Sequence, residues 1–228
     1  MHHTSHRGSR RRKVSKLKPA IWIVQSTRDL RGIHHPKPSV RARASYLFHK
    51  FIKEDRNEVP INIVVNLLDG IRDSLAVQAE LPELESPDQD ILFEAVNEPS
   101  VFDSQLYLFE AAGTLVSLTF SMPDQQAALL QSLTKPLMDG MERAIQTPMN
   151  NGPHDVLPVL QVHHYIMALG GISKGFVDFP NPVPDDWILP PLGVFEQAAQ
   201  AIILTLDAMN RYKIVREAVR LTLLHASI

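Results

Sequence analysis

The strongest indication of the fold lies in residues 101–120, which read VFDSQLYLFEAAGTLVSLTF. Apolar residues cover more than half of the helical circumference in this stretch. The clearly polar positions are Asp103, Ser104, Gln105, Glu110, Thr114, Ser117 and Thr119. A helix on the surface of a small domain carries one apolar stripe, whereas a helix that is apolar on most sides is enclosed by neighbours. The pattern therefore predicts a helix packed between other helices.

The helical period recurs on both sides of this stretch, and proline-rich loops separate the periodic segments. We predict eight helices, at about residues 17–30, 39–53, 60–78, 101–120, 124–146, 155–175, 191–209 and 212–226. Few segments show the two-residue alternation of a strand, so an all-α protein is expected. Most prolines fall in loops or first helical turns, where they are tolerated. Pro136 is the exception, and we expect it to kink or divide its helix.

Successive helices are expected to form antiparallel pairs, as in HEAT-like α-solenoids. The pairs that start at about residues 39, 101 and 155 are spaced more widely than the ~40–47 residues of HEAT and armadillo repeats, because loops such as residues 147–153 are inserted. The last predicted helix lacks the polar capping partner that a solenoid end requires. Residues 17–228 are therefore predicted to be part of a longer superhelix. A disordered basic arm at residues 1–16 would precede it, and an acidic loop at about residues 79–100 would interrupt it.

The chain of 228 residues has a formal net charge of −2, but its charges are unevenly distributed. Residues 1–56 hold fifteen of the 23 Lys and Arg residues and only three of the 25 acids. Such asymmetry favours an arm or stripe that faces a polyanion. The absence of cysteine excludes disulfides and thiolate sites. No segment approaches the ~18 apolar residues of a membrane helix, and the first residues do not resemble a signal peptide, so an intracellular protein without membrane insertion is expected.

The helix at residues 39–53 is the candidate binding surface. Ser39 is a suitable N-cap. An apolar stripe is expected through Val40, Ala44, Leu47, Phe48, Phe51 and Ile52. The basic residues Arg41, Arg43, Lys50 and Lys53 lie off that stripe. The spacing of the last three predicts a row along one flank, which suits salt-sensitive binding of phosphates. An ordinary solvated face is the alternative.

Residue groups that could indicate catalysis or a metal site have simpler explanations. His163 and His164 are adjacent on a predicted helix, so their side chains should point about 100° apart, with one packed and one exposed. Residues 170–175, GGISKG, lack the spacing of a phosphate-binding loop and are predicted to end a helix. There is no nucleophile-elbow pattern, and the acidic clusters lack the spacing of a calcium loop. We therefore predict a protein that is not an enzyme and has no cofactor or metal.

Three stretches resemble a known family. Residues 31–35 read RGIHH and residues 39–53 read SVRARASYLFHKFIK. This combination resembles the exportin-T family, the tRNA export receptors of the importin-β (karyopherin) group, in which RG and a short gap precede a helix of the type VRxRxxYLFxxFVK. Residues 104–113, SQLYLFEAAG, are similar to the DQLxxxExxG helix of that family, and residues 134–138, TKPLM, to its LLTPLM. The order and approximate spacing agree over about residues 30–140.

The resemblance implies a HEAT-repeat superhelix that binds mature tRNA together with GTP-bound Ran in the nucleus and releases the RNA in the cytoplasm. Its partners would be tRNA, Ran and nuclear pore proteins, and it would shuttle between nucleus and cytoplasm. The RNA would be held by its shape and backbone charge. Exportins of this family are several times longer, and their Ran-binding repeats have no counterpart here. The alternative is a HEAT-type scaffold that binds only proteins, through the acidic loop and the inner helix faces.

Overall fold

The computed structural model describes residues 30–83, 86, 93–95, 100–151, 156–176 and 189–209. Six α-helices span these residues: α1 (Pro38–Glu54), α2 (Val64–Ile71), α3 (Val101–Ser117), α4 (Pro123–Asn151), α5 (Leu157–Lys174) and α6 (Leu192–Ala208). Three 3-10 helices flank α2: Arg56–Glu58, Ile61–Ile63 and Arg72–Leu75. Residues 30–33 and 93–95 are also helical, and no strand occurs in the described ranges. The prediction of an all-α fold is confirmed.

Several predictions fall outside the described residues. These are the basic arm at residues 1–16, the helix at residues 17–30 apart from Leu30, most of the acidic loop and the helix at residues 212–226.

The helices form two layers. α3 packs against α1 on one side and α5 on the other, while α4 packs against α5 and α6. Phe102 stacks on His164 near the start of α3, and Gly113 lies against Ile172 near its end, so α3 and α5 run parallel. Gly140 of α4 faces Tyr165, so the second layer is joined to the first at α5. Layers of this kind, built from successive helical pairs, are HEAT-like, which confirms the predicted class.

The core confirms the prediction that α3 is enclosed. Its buried residues include Leu108, Phe109, Leu115 and Val116, each no more than 2 % exposed. α3 begins at a serine cap, because the Ser100 amide donates to Asp103 Oδ2 at 2.6 Å. The carboxylate satisfies a donor that the first turn of a helix leaves free. The helix is thus fixed at its start by a cap and along its length by apolar packing.

Glycines allow α3 and α5 to approach closely. A Cβ atom on Gly113 would overlap the backbone carbonyl of Ile172, and one on Gly175 would overlap the Thr114 amide. A Cβ on Gly171 would lie 3.1 Å from the Phe109 Cβ. Since two of these clashes are with backbone atoms, a side chain at either position would have to separate the helices.

The third predicted helix is shorter than expected. The interval predicted as residues 60–78 contains α2 with 3-10 turns at both ends, and residues 76–83 are not helical. Glutamine side chains from other helices bind this backbone instead. Gln105 Nε2 donates to the carbonyls of Ser74 and Ala76 at 3.1 and 3.0 Å.

Gln161 of α5 binds the same segment further along. Its Nε2 donates to the Val77 carbonyl at 3.0 Å, and its Oε1 accepts from the Ala79 amide at 2.8 Å. The two glutamines supply partners that an extended backbone would otherwise lack inside the protein. A helical period in residues 60–78 gives no sign of these partners, because they come from residues distant in sequence.

Helix boundaries differ from the predictions at three further places. α1 begins at Pro38, whereas Ser39 was predicted as its N-cap, because the φ angle of proline suits a first helical turn. Lys37 occupies the N-cap position and forms no side-chain capping bond. Residues 31–33, predicted as a loop, are helical. α4 continues through Pro136 as one helix and includes residues 147–151, which were predicted as a loop. Within the described residues, no helix combines the length and hydropathy that crossing a membrane requires.

Replacing Gly113 with alanine is expected to lower the free energy of unfolding by about 1–3 kcal/mol, the usual cost of overpacking, because the new methyl group meets an immobile carbonyl. The better helix propensity of alanine, about 1 kcal/mol, offsets only part of this cost. Urea unfolding followed by circular dichroism measures the change.

Gly193→Ala is the matched control, since a Cβ at Gly193 in α6 meets nothing within 4 Å. This variant should be neutral or slightly more stable than the unmodified chain. Equal effects of the two substitutions would contradict a close approach of α3 and α5 at Gly113.

Candidate nucleic-acid interface

One exposed face of α1 carries basic side chains together with the apolar side chain of Leu47. Its buried face contains Ala44, Phe48 and Ile52, as predicted. Leu47, which was assigned to the apolar stripe, is 39 % exposed, and that assignment is wrong. Residues 43, 47, 50 and 54 follow each other at spacings of four, three and four, so they share the outer side of the helix. The seven residues from Arg43 to Lys50 correspond to about 10 Å along the axis.

Arg41 does not belong to this outer face. Its guanidinium Nη1 donates to the carbonyls of His35 and Pro36, at 3.2 and 2.8 Å. These bonds attach the preceding loop to the first turns of α1. Arg41 therefore stabilises the start of the helix, and its donors are directed to the backbone.

Arg43 and Lys50 have weaker partners. The Arg43 guanidinium lies 5.4 Å from the centre of the Tyr46 ring, a cation–π contact. Lys50 Nζ lies 3.8 Å from Glu54 Oε1, and both side chains are at least half exposed. Exposed pairs of this kind contribute roughly 0.3–0.5 kcal/mol, so a phosphate can displace the carboxylate readily.

Lys53 is held more firmly, by Glu110 of α3. Its Nζ lies 2.7 Å from Glu110 Oε1, and His49 Nε2 lies 3.0 Å from the same oxygen. The Glu110 side chain is only 18 % exposed. The His49 ring and Lys53 together lower the pKa of Glu110 to about 2, although burial alone would raise it. The carboxylate thus binds α1 to α3 and neutralises part of the predicted basic row.

Two tyrosines lie in the same region. The Tyr46 and Tyr107 rings are 5.4 Å apart with an interplanar angle of 80°. The buried His49 ring lies 5.5 Å from Tyr107 and is tilted by 33°. Tyr107 is 37 % exposed. The α1–α3 contact therefore carries two neighbouring tyrosine rings, one of which lies beneath the Arg43 guanidinium.

The structure thus separates the four predicted residues. Arg43 and Lys50 share the outer face of α1, Lys53 lies at its edge in an ion pair, and Arg41 lies at the helix start. The sequence interpretation missed Tyr46, Tyr107 and Glu110. The sequence does contain one indication for Glu110, which is a single acid within a largely apolar stretch of helix. A buried carboxylate requires a cationic or hydrogen-bonding partner.

The histidine pair on α5 is packed differently from the prediction. His163 and His164 are both buried, at 6 and 5 % exposure, so the expectation of one exposed ring is wrong. Their Nδ1 atoms lie 3.3 Å apart, and His164 stacks on Phe102 at 3.9 Å. Burial lowers the pKa of His163 to about 4 and that of His164 to about 3. The pair is therefore neutral at physiological pH and serves the contact between α3 and α5. Within the described ranges, no three potential metal-ligating side chains come together.

The two layers of packed helices place the chain among the helical-repeat proteins. A family model described as Exportin-T matches residues 23–225. The chain is 50 % identical over 200 residues to the Exportin-T of Laccaria bicolor, covering 88 % of this chain and 19 % of that protein. It is 43 % identical over 193 residues to the Exportin-T of Coprinopsis cinerea, covering 84 % of this chain and 18 % of the relative.

A third relative, the Exportin-T of Mycosarcoma maydis, is 41 % identical over 198 residues, covering 84 % of this chain and 17 % of the relative. The chain belongs to the exportin-T family, and the resemblance found in residues 31–53 and 104–138 is confirmed. It spans less than a fifth of the length of these relatives.

Replacing Glu110 with glutamine is expected to lower the free energy of unfolding at pH 7 by about 1–2 kcal/mol, because Lys53 and the buried His49 lose a charged partner. A carboxylate whose pKa is lowered in the folded protein contributes its full stability at pH values above its ordinary pKa of 4.5. This contribution is lost as the pH falls through the lowered pKa of about 2. The difference between the two proteins should therefore shrink from pH 5 toward pH 2, as urea unfolding at a series of pH values would show.

Asp139→Asn provides the control, because the Asp139–Lys135 pair lies on the exposed side of α4. That substitution should change stability by less than about 0.5 kcal/mol. A Glu110→Gln difference that stays constant down to pH 2 would contradict the ion pair.

Proposed function

We propose that the chain is part of a nuclear export receptor that binds mature tRNA together with GTP-bound Ran and carries the RNA from nucleus to cytoplasm. Its membership of the exportin-T family is the observation that carries this proposal. The chain acts here as a binding segment, and its role requires no catalytic step.

The exposed face of α1 is proposed as an RNA contact. Arg43 and Lys50 point outward from one rigid helix, and their present partners are an aromatic ring and an exposed carboxylate. Contacts from such residues to phosphate are independent of sequence, which suits a receptor for many tRNAs. Lys53 contributes at the edge of this contact, and Arg41 supports the helix that carries it.

The remaining parts of the proposal concern regions beyond this contact. Residues 17–228 are proposed to form consecutive HEAT-like repeats of the superhelix, with residues 1–16 as a basic arm and about 79–100 as an acidic insertion. Ran and nuclear pore proteins would bind mainly through repeats that are not in this chain. The receptor would move between nucleus and cytoplasm without entering a membrane.

The direct test is binding of a tRNA transcript to the full 228-residue chain over a series of salt concentrations. We expect log K to fall linearly with log salt. The double variant Arg43→Ala/Lys50→Ala should flatten this slope by about 1–2, since each phosphate contact contributes about 0.7–0.9.

Arg72→Ala/Lys135→Ala is the charge-matched control, because both residues are exposed, lie outside α1 and pair with carboxylates. This variant should leave the slope within about 0.5 of the original value. Absence of tRNA binding at low salt would reject the RNA role. Retention of protein partners after nuclease treatment, without any RNA binding, would favour the protein-only scaffold instead.

A further inference from the structure

The α1–α3 edge contains rings that a purely ionic interface would not need. Tyr107 of α3 is 37 % exposed, although most of the residues that follow it in α3 are buried. It projects beside Tyr46 and within the same region as Arg43, whose guanidinium lies over the Tyr46 ring. An exposed aromatic ring among cations is the usual arrangement for holding an unpaired nucleotide.

The ring is held in a fixed position. His49, buried in α1, lies near one side of Tyr107, and the edge-to-face contact with Tyr46 restrains it from another direction. These two contacts leave 37 % of Tyr107 exposed to solvent. A restrained ring loses little conformational entropy when a base stacks on it, which favours stacking.

The charges around Tyr107 permit an anionic ligand. Glu110, one turn further along α3, forms an ion pair with Lys53 and lies 3.0 Å from His49 Nε2. Asp103, one turn earlier, accepts the Ser100 amide at 2.6 Å and compensates the positive end of α3. Arg43 and Lys50 belong to α1, which also carries the Tyr46 and His49 rings next to Tyr107, and the Lys53 side chain is 61 % exposed.

We propose that Tyr107, flanked by Tyr46, stacks on an unpaired nucleotide base of a bound RNA while Arg43 and Lys50 contact the adjoining phosphates. This inference rests on the proposed RNA role of the chain and extends it, because a base-paired duplex keeps its base faces covered. The site thus adds to the salt-dependent contact a component that does not depend on salt.

The test compares two RNA probes, a short single-stranded oligouridine and a blunt self-complementary RNA duplex, with the full chain. Tyr107→Ala should weaken oligouridine binding by about fivefold to a hundredfold, as loss of one stacked base does, and leave the salt slope unchanged. Duplex binding should change less than twofold. Tyr107→Phe should bind oligouridine like the original, because the ring is retained.

Two further variants separate stacking from folding and from general hydrophobicity. Tyr107→Leu keeps an apolar side chain but no ring, and it should show the same loss as Tyr107→Ala while staying folded under the binding conditions, as its unfolding curve would show. Phe120→Ala removes an aromatic residue that is 52 % exposed beyond the end of α3, and it should have no effect.

The possible failures are distinguishable. If tRNA binds with the expected salt slope but oligouridine does not, or if Tyr107→Leu binds oligouridine normally, the stacking site is rejected and the phosphate contact stands. Equal losses on duplex and single strand would also reject stacking. If no RNA binds the chain at any salt concentration, both the stacking site and the proposed function fail.

Discussion

The arrangement of the helices depends on the direct approach of the α3 and α5 backbones. At Gly113 the backbone of α3 comes so close to the Ile172 carbonyl of α5 that no side chain fits between them. This spacing fixes α5 along α3, and other contacts follow from it. His164 can stack on Phe102, and Gln161 can reach the backbone at Val77. If larger side chains separated α3 and α5, the glutamine hydrogen bonds to residues 76–79 would be lost. These bonds take the place of helical hydrogen bonds in that segment.

The outer helix α1 depends on α3 as well. Glu110 and Gly113 lie one turn apart, in the stretch that is similar to the DQLxxxExxG helix of the family. The carboxylate of Glu110 binds Lys53 of α1, and the missing side chain at Gly113 admits α5. Two residues of one turn thus dock both neighbours of α3. Lys53 is the last residue of the stretch at 39–53, which also resembles the family. An ion pair therefore joins residues 39–53 to residues 104–113.

The helical period was sufficient to predict the existence and type of most helices, because α1, α3, α5 and α6 bury continuous apolar faces. It was insufficient wherever a distant side chain competes with helical hydrogen bonding. Residues 74–79 have a helical period, yet Gln105 and Gln161 bind their backbone. The start of α1 was misplaced for a local reason, since the fixed φ of Pro38 outweighed the capping ability of Ser39. A distant contact also explains why the histidine pair is more buried than predicted. Phe102 of α3 stacks on His164, and the sequence of α5 gives no sign of that contact.

The exposed basic face of α1 shows a similar limit. Spacing along one helix correctly placed Arg43 and Lys50 on a common side, because helical geometry is local. It could not reveal that Glu110, 57 residues after Lys53, neutralises that lysine. Nor could it show that Tyr107 lies next to Tyr46, because that contact depends on the parallel packing of α1 and α3.

The energies of these contacts decide which cations a polyanion can recruit. Moving Lys53 away would leave a carboxylate that is only 18 % exposed with one fewer partner, which costs more than giving up a fully exposed pair. Lys50 gives up only an exposed pair worth about 0.3–0.5 kcal/mol, and Arg43 a cation–π contact worth about 0.5–1 kcal/mol. Two recruited cations account for a salt slope of only about −1.5. Strong binding of a long RNA therefore requires many such faces in succession. Under the proposed function, a chain that spans less than a fifth of its relatives' length supplies only a fraction of the total contact.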